Sequence, residues 1–174
     1  MGLIRAVFDA SFRQSTARRK PAGPRWPLML FHVDTGGCGG CGMELEALAT
    51  GPYDMQGAGF SFVSAPQGAD VLLITGALTY TMAPVLEAAW NAMPTPKGLI
   101  CVGNCAIDGG IFSENYSLMG GVSRKVHINL RIAGCPPAPK DILDGLCSLF
   151  AQHSKTTGTA QAEAGVSSSS TTSS

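Results

Sequence analysis

Charge is scarce in this chain, and what there is cancels. Only 14% of the 174 residues are charged, with twelve bases against twelve acids, so the formal net charge is zero. That excludes the one-signed field that draws a protein to nucleic acid. Long apolar runs are missing as well. The most apolar stretches, 28–33 and 71–74, have the length of strands, whereas a membrane helix needs roughly 18–20 such residues. The first residues contain no hydrophobic h-region and are interrupted by Asp9, Arg13 and Arg18, so no signal peptide is expected and the chain is assigned to the cytosol. The three histidines, His32, His127 and His153, show no metal-ligand spacing. The stretch Thr75–Thr79 has no phosphate-loop pattern, which argues against nucleotide binding. Asp108-Gly109-Gly110 reads as turn chemistry.

Glycine and cysteine, by contrast, are plentiful. There are 22 glycines and six cysteines. In a reducing compartment six cysteines point to metal ligands or buried thiols rather than disulfides. Their centre is Asp34-Thr-Gly-Gly-Cys38-Gly-Gly-Cys41-Gly-Met-Glu44-Leu-Glu46. Two thiols three positions apart can serve one metal centre from a single turn, and flanking glycines let the backbone wrap closely round it. Glu44 and Glu46 are expected in the first turn of the following helix, where the helix dipole favours carboxylates.

Along the chain, residues 1–26 form a basic arm holding six of the twelve bases, with Ile4, Val7, Phe8 and Phe12 at helical spacing. An amphipathic helix on a membrane or partner and a solvated terminus both fit this arm. Residues 27–151 make the folded domain. Strands are predicted over 28–33, 60–65, 71–75, 99–102 and 125–133, the last from alternation of Val126, Ile128, Leu130 and Ile132 with Lys125, His127, Asn129 and Arg131. On that pattern His127 faces solvent. Helices are predicted over 43–50, 83–93 and 140–151, burying Val85, Leu86, Ala89, Trp90 and Met93 on the second and Ile142, Leu143, Leu146 and Phe150 on the third. Residues 152–174, rich in Ser and Thr, read as a disordered tail. Strands alternating with helices predict an α/β fold of flavodoxin-like, mostly parallel type.

Such a sheet brings the cysteines into order. Cys38 and Cys41 follow the first strand, Cys105 the fourth and Cys135 the fifth, so all four open on the carboxyl edge where open α/β sheets bind ligands. Cys101 within the fourth strand and Cys147 in the last helix are expected to be core thiols. Four thiolates suit a [4Fe–4S] cluster or a structural zinc. With only one compact pair, the spacing favours iron–sulfur over zinc, and a redox dithiol comes third.

Three motifs carry a resemblance. Cys38-x-x-Cys41-x-x-Glu44, Gly103-x-Cys105-Ala-x-x-Gly-Gly110 and Gly134-Cys135-Pro136-Pro137-x-Pro139 occur in that order. Over residues 28–150 the chain resembles the small, electron-transferring subunit shared by energy-converting (group 4) [NiFe] hydrogenases and respiratory complex I, the complex I 20 kDa subunit family. The two residues between Cys38 and Cys41 match the hydrogenase branch, which includes formate hydrogenlyase, whereas complex I members typically carry adjacent cysteines there. Ala138 stands where an arginine is common. The resemblance implies a flavodoxin-like fold and one [4Fe–4S] cluster on Cys38, Cys41, Cys105 and Cys135. It further implies a non-catalytic relay, inactive alone, between a ferredoxin-like iron–sulfur subunit and a large [NiFe]-hydrogenase-like subunit. Membrane subunits complete the implied complex, which holds the chain peripherally on the cytoplasmic face. Glu44 is read as a proton-transfer or partner-contact residue. The competing reading is a flavodoxin-like binding module with a structural zinc on the four cysteines.

Overall fold

A computed structural model describes residues 27–159 apart from 51, 113 and 124, with side chains described as far as 149. The basic arm at 1–26, the side chain of Phe150 and the chain from 160 onward lie outside the described residues.

Runs of β-branched and aliphatic residues form the sheet. Strands β1 (Leu28–Asp34), β2 (Phe60–Phe62), β3 (Val71–Thr75), β5 (Gly98–Val102) and β7 (Leu130–Ile132) pair in the order β2-β1-β3-β5-β7. Every neighbouring pair is parallel. Counted along the chain this is the 2-1-3-4-5 order of flavodoxin-like folds, whose ligand crevice opens where the order reverses, between β1 and β3. A separate antiparallel pair joins β4 (Leu78–Thr79) to β6 (Leu118–Gly120).

Because side chains alternate along a strand, β3 and β5 feed two cores at once. Leu72, Ile74, Leu99 and Cys101 pack with Leu86, Ala89, Trp90 and Met93 from helix α2 (Ala83–Ala92) and the residue after it. Val71, Leu73, Ile100 and Val102 pack on the other face with Leu45 and Leu48 of helix α1 (Gly40–Ala49) and Ile142 and Leu146 of helix α4 (Pro139–Thr159). With both faces covered, the central strands can be apolar throughout, and all five residues of β3 are buried. A four-residue helix α3 (Asn104–Ile107) follows β5 directly.

Several expectations are corrected. Helix α1 begins at Gly40 rather than Met43, so Glu44 and Glu46 lie beyond the first turn, where the dipole has faded. Glu44 is half-buried and Glu46 exposed. Val85 is 50% exposed, because the buried stripe of α2 runs 86, 89, 90, 93 and residue 85 falls just outside it. Cys147 is exposed rather than in the core, since it is turned about 100° from the buried Leu146 and lies beside Asp144. The second strand ends at Phe62.

The alternating segment 125–133 is a strand only from Leu130. Before that the chain turns back on itself, with the Lys125 and Val126 N–H groups donating to the Val122 carbonyl. Lys125, expected outside, is 6% exposed and donates to the Met119 carbonyl, with Glu114 at 3.6 Å. A buried ammonium is tolerated only with such partners. His127 is exposed, as the alternation requires. Helix α4 runs to Thr159 instead of ending near Ala151: once nucleated, a helix gains a bond with each residue, and Ala151, Gln152 and Lys155 are good helix formers.

Candidate metal centre

The carboxyl ends of β1, β5 and β7 point the same way, and each is followed by a cysteine loop. Cys38 lies four residues past β1 and Cys41 in the first turn of α1. Cys105 is the second residue of α3, and Cys135 follows β7 by three residues. Cys105 is 7% exposed and Cys41 half-buried, while Cys38 and Cys135 face outward.

Close approaches show that these loops meet. A Cβ on Gly40 would lie 3.6 Å from Cys38 Sγ and 3.7 Å from Pro136 Cγ. Gly103 has φ +89, and a Cβ there would stand 2.5 Å from Cys41 Sγ and 3.6 Å from the Gly134 carbonyl. Any other residue at 103 would both strain the backbone and strike the sulfur. A Cβ on Gly110 would come within 3.3 Å of Cys105 Sγ. Glycines thus border three of the four sulfurs and leave room that side chains would fill.

Electrostatics tell the same story. The Cys41 thiol is pushed up to about 11, first by burial and then by the neighbouring Cys105, Cys38 and Cys135, with Asp34 adding to it. Burial also raises Cys105, helped by the neighbouring Cys135 and Cys38. The mutual raising reflects how close the four cysteines lie, and a cation bound there would have to draw off their protons. Cys101 behaves differently: it is fully buried on the α2 face, and its pKa of about 12 comes from burial, slightly offset by Arg131. Among the described residues no three His, Cys, Asp or Glu side chains are set to hold a single metal ion. Four thiols beside a glycine-lined space suit an iron–sulfur cluster, and they suit a four-thiolate zinc as well.

Residues that the motifs did not single out hold the loops. Asn104 ties the second motif to the third: its N–H donates to the Gly134 carbonyl at 2.9 Å, and its Oδ1 accepts from the Gly134 N–H at 2.9 Å. Behind Cys105, the Val122 and Ser123 N–H groups donate to the Ala106 and Ile107 carbonyls. Asp108 Oδ1 accepts from the Gly110 N–H at 2.9 Å, the turn chemistry expected of it. His32 places Nε2 2.9 Å from Thr75 Oγ1, and burial holds its pKa below the ordinary value against the pull of Asp34 and Glu46. Asn104 leaves a faint mark in the sequence as a short amide beside a cysteine. His32 and Lys125 leave none.

Comparison with known proteins gives the family of the chain. The family model described as NADH ubiquinone oxidoreductase, 20 Kd subunit, matches residues 38–149. An NADH-quinone oxidoreductase subunit of Heliobacterium modesticaldum is 35% identical over 73% of this chain and 70% of its own length. Formate hydrogenlyase subunit 7 of Escherichia coli is 40% identical over 67% of this chain, which spans 46% of that protein. Among solved structures, a chain of the membrane-bound sulfane sulfur reductase, an archaeal respiratory membrane complex, superposes with a TM-score of 0.63 and 29% identity, covering 73% of this chain and 71% of that one. A chain of an NAD+-reducing [NiFe]-hydrogenase shares the fold at a TM-score of 0.51 and 21% identity, over 72% of this chain and 92% of the other. With three motifs in order, the flavodoxin-like sheet and a model match across most of the domain, the chain belongs to the NADH ubiquinone oxidoreductase 20 kDa subunit family.

Proposed function

We propose that this chain is an iron–sulfur relay subunit of a membrane-associated oxidoreductase complex, with one [4Fe–4S] cluster held by Cys38, Cys41, Cys105 and Cys135. The observation that carries the reading is the meeting of three loops, remote in sequence, at one edge of the sheet. There the shielded thiols, Cys41 and Cys105, are raised in pKa by burial and by the other cysteines of the set. A bound cluster supplies one-electron transfer at a potential set by its surroundings.

The chain's own residues do the rest. The four thiols give up their protons on loading, so cluster assembly is favoured by rising pH. Glycines at 40, 103 and 110 keep side chains away from three of the sulfurs. Cys38 and Cys135 face outward, which leaves this edge in need of a cover. The proposed cover is a large [NiFe]-hydrogenase-like subunit, with a ferredoxin-like subunit as the other redox partner. Two relatives, the NADH-quinone oxidoreductase subunit and formate hydrogenlyase subunit 7, carry names that support membership of such assemblies. No helix among the described residues is long and apolar enough to cross a membrane. The proposed attachment is peripheral, through partner subunits on the cytoplasmic face. The basic segment 1–26 is proposed to contribute to it, with release by salt as its signature.

Glu44, half-buried three residues past Cys41, is assigned a proton-handling or docking role. Glu44→Gln then leaves iron content intact and slows turnover of the complex, or weakens subunit assembly. Unchanged turnover and assembly would reduce Glu44 to an ordinary helix residue.

The deciding experiment is metal and sulfide analysis of the full chain purified anaerobically. About four iron and four sulfide per chain are expected. Zinc without labile sulfide would replace this reading with a flavodoxin-like binding module stapled by a four-cysteine zinc.

A further inference from the structure

Thr35, the residue just after β1, is fully buried, one of three polar or charged residues buried among the described residues. A buried hydroxyl is costly unless paired, and this one is paired closely. Thr35 Oγ1 donates toward the Thr75 carbonyl at 2.9 Å and the Gly76 carbonyl at 3.0 Å, at the end of β3. Its N–H donates to the same Thr75 carbonyl at 2.9 Å. Its own carbonyl accepts from the Thr79 N–H at 3.2 Å and from Thr79 Oγ1 at 3.1 Å. Thr79 Oγ1 in turn accepts from the Met82 N–H at 3.1 Å.

The two backbones are pressed together here. Gly76 has φ +76, and a Cβ on it would lie 2.7 Å from Asp34 Oδ1 and 2.8 Å from the Gly37 nitrogen. The Ala77 N–H donates to the Gly36 carbonyl at 2.9 Å. Beyond this point the chain reads Gly36-Gly37-Cys38-Gly39-Gly40-Cys41, with no side chain between Thr35 and the second thiol except the first thiol itself. A glycine loop cannot pack itself into place and has the largest freedom to lose on ordering. Thr35 is thus the last side chain that can fix the loop before its sulfurs.

We propose that Thr35, with Thr79 as its partner, is a positioning residue that locks the Cys38–Cys41 loop to the end of β3 and so sets the geometry of half the cluster site. The proposal rests on the four-cysteine reading given above. The side chain touches neither sulfur. It acts through the loop it anchors, as second-layer groups do when they orient metal ligands.

The test uses the full chain loaded anaerobically with equal amounts of ferrous and ferric iron and with sulfide. Cluster loss to an iron chelator is followed by visible absorbance, and melting by circular dichroism. Thr35→Val keeps the shape and removes the hydroxyl, so cluster loss should accelerate about tenfold, whereas Thr35→Ser should restore nearly the original rate. Leu86→Val, in the core on the α2 side, serves as a control for stability. Compared at equal distance below their melting temperatures, it should release iron as the original chain does. Should Thr35→Val fail to fold, Thr79→Val tests the same lock through the other hydroxyl and should also hasten loss. Two results would overturn the proposal: loss from the threonine variants at the original rate, or equally fast loss from Leu86→Val. An original chain that takes up no iron and sulfide would fell the four-cysteine reading and this inference with it, whereas normal loading with unaltered loss in the variants would fell the inference alone.

Discussion

The two halves of the sulfur site are built on the same plan but held by different means. Each offers one shielded thiol and one open thiol: half-buried Cys41 with exposed Cys38, buried Cys105 with exposed Cys135. The first half is one short loop, anchored behind by the Thr35 and Thr79 hydroxyls. The second joins two loops 30 residues apart through the side chain and backbone of a single asparagine, Asn104, against Gly134. Where both ligands lie in one loop, an anchor at its root is enough. Where they come from separate strands, a cross-tie must replace chain connectivity. The comparison makes each half breakable on its own.

The largest effect should come from the proposed ligands. Cys105→Ser is expected to abolish cluster loading, measured as iron per chain, because a buried position offers no substitute ligand. Cys101→Ser, four residues earlier, should retain iron and lose only stability, about 1–3 kcal/mol for an ill-paired buried hydroxyl. Equal iron loss in the two would erase the distinction between core thiol and ligand.

Next comes the cross-tie. Asn104→Ala leaves the Gly134 N–H without its acceptor, at a cost of about 1–3 kcal/mol and a melting drop on the order of 5 °C for a chain of this size. Asn104→Asp retains an acceptor oxygen and should recover much of it. Alkylation of the apo chain read by mass spectrometry should show the shielded Cys105 opened in Asn104→Ala and the half-buried Cys41 unchanged. A uniform rise at both cysteines would mean the halves are not separately held.

Alkaline titration probes the shielded thiols. Folding raises Cys41 from 9.0 to about 11, so between those values the unfolded chain releases a proton that the folded chain keeps. That contribution is fully present below pH 9.0 and is lost as pH rises through about 11. The urea midpoint of the apo chain should fall over that window, less steeply in Cys41→Ser. The part that remains belongs to Cys101, raised to about 12, and to Cys105 and Cys147, with the lowered Lys97 acting in the opposite direction.

The smallest effect lies on the acid side, at the root of the first half. His32 is held below 6.5 by burial, so the unfolded chain takes up a proton first and stability falls as pH drops below 6.5. His32→Gln keeps a partner for Thr75 Oγ1 and should flatten that decline. An unaltered acid limb would show that His32 protonates freely where it stands.

Much of this was legible in the sequence, in places where a local pattern suffices. Apolar runs at 28–33, 71–75 and 99–102 became β1, β3 and β5 within a residue or so, and the helical stripes at 86, 89, 90 and 93 and at 142 and 146 became the two cores. Period-2 alternation misled at 125–129, where Val126 and Ile128 enter the α2-side core from a turn rather than from a strand. Cys147 misled because an apolar helix pattern leaves about 100° of uncertainty at the margin of its stripe.

By itself the sequence determined the strand–helix alternation, the glycine-bordered cysteine motifs and, with strands all running one way, the single edge on which Cys38, Cys41, Cys105 and Cys135 open. Those features depend on residue type and spacing along a few neighbours, which the chain carries in plain view. Only the tertiary structure decided which thiols are shielded, that Lys125 lies inside beside Glu114, and that Thr35 and Asn104 are the fixing points. The two fixing points depend on partners 30 or more residues away, and the rest on what happens to cover a side chain. A threonine paired with two carbonyls of another strand is written with the same letter as one that faces water.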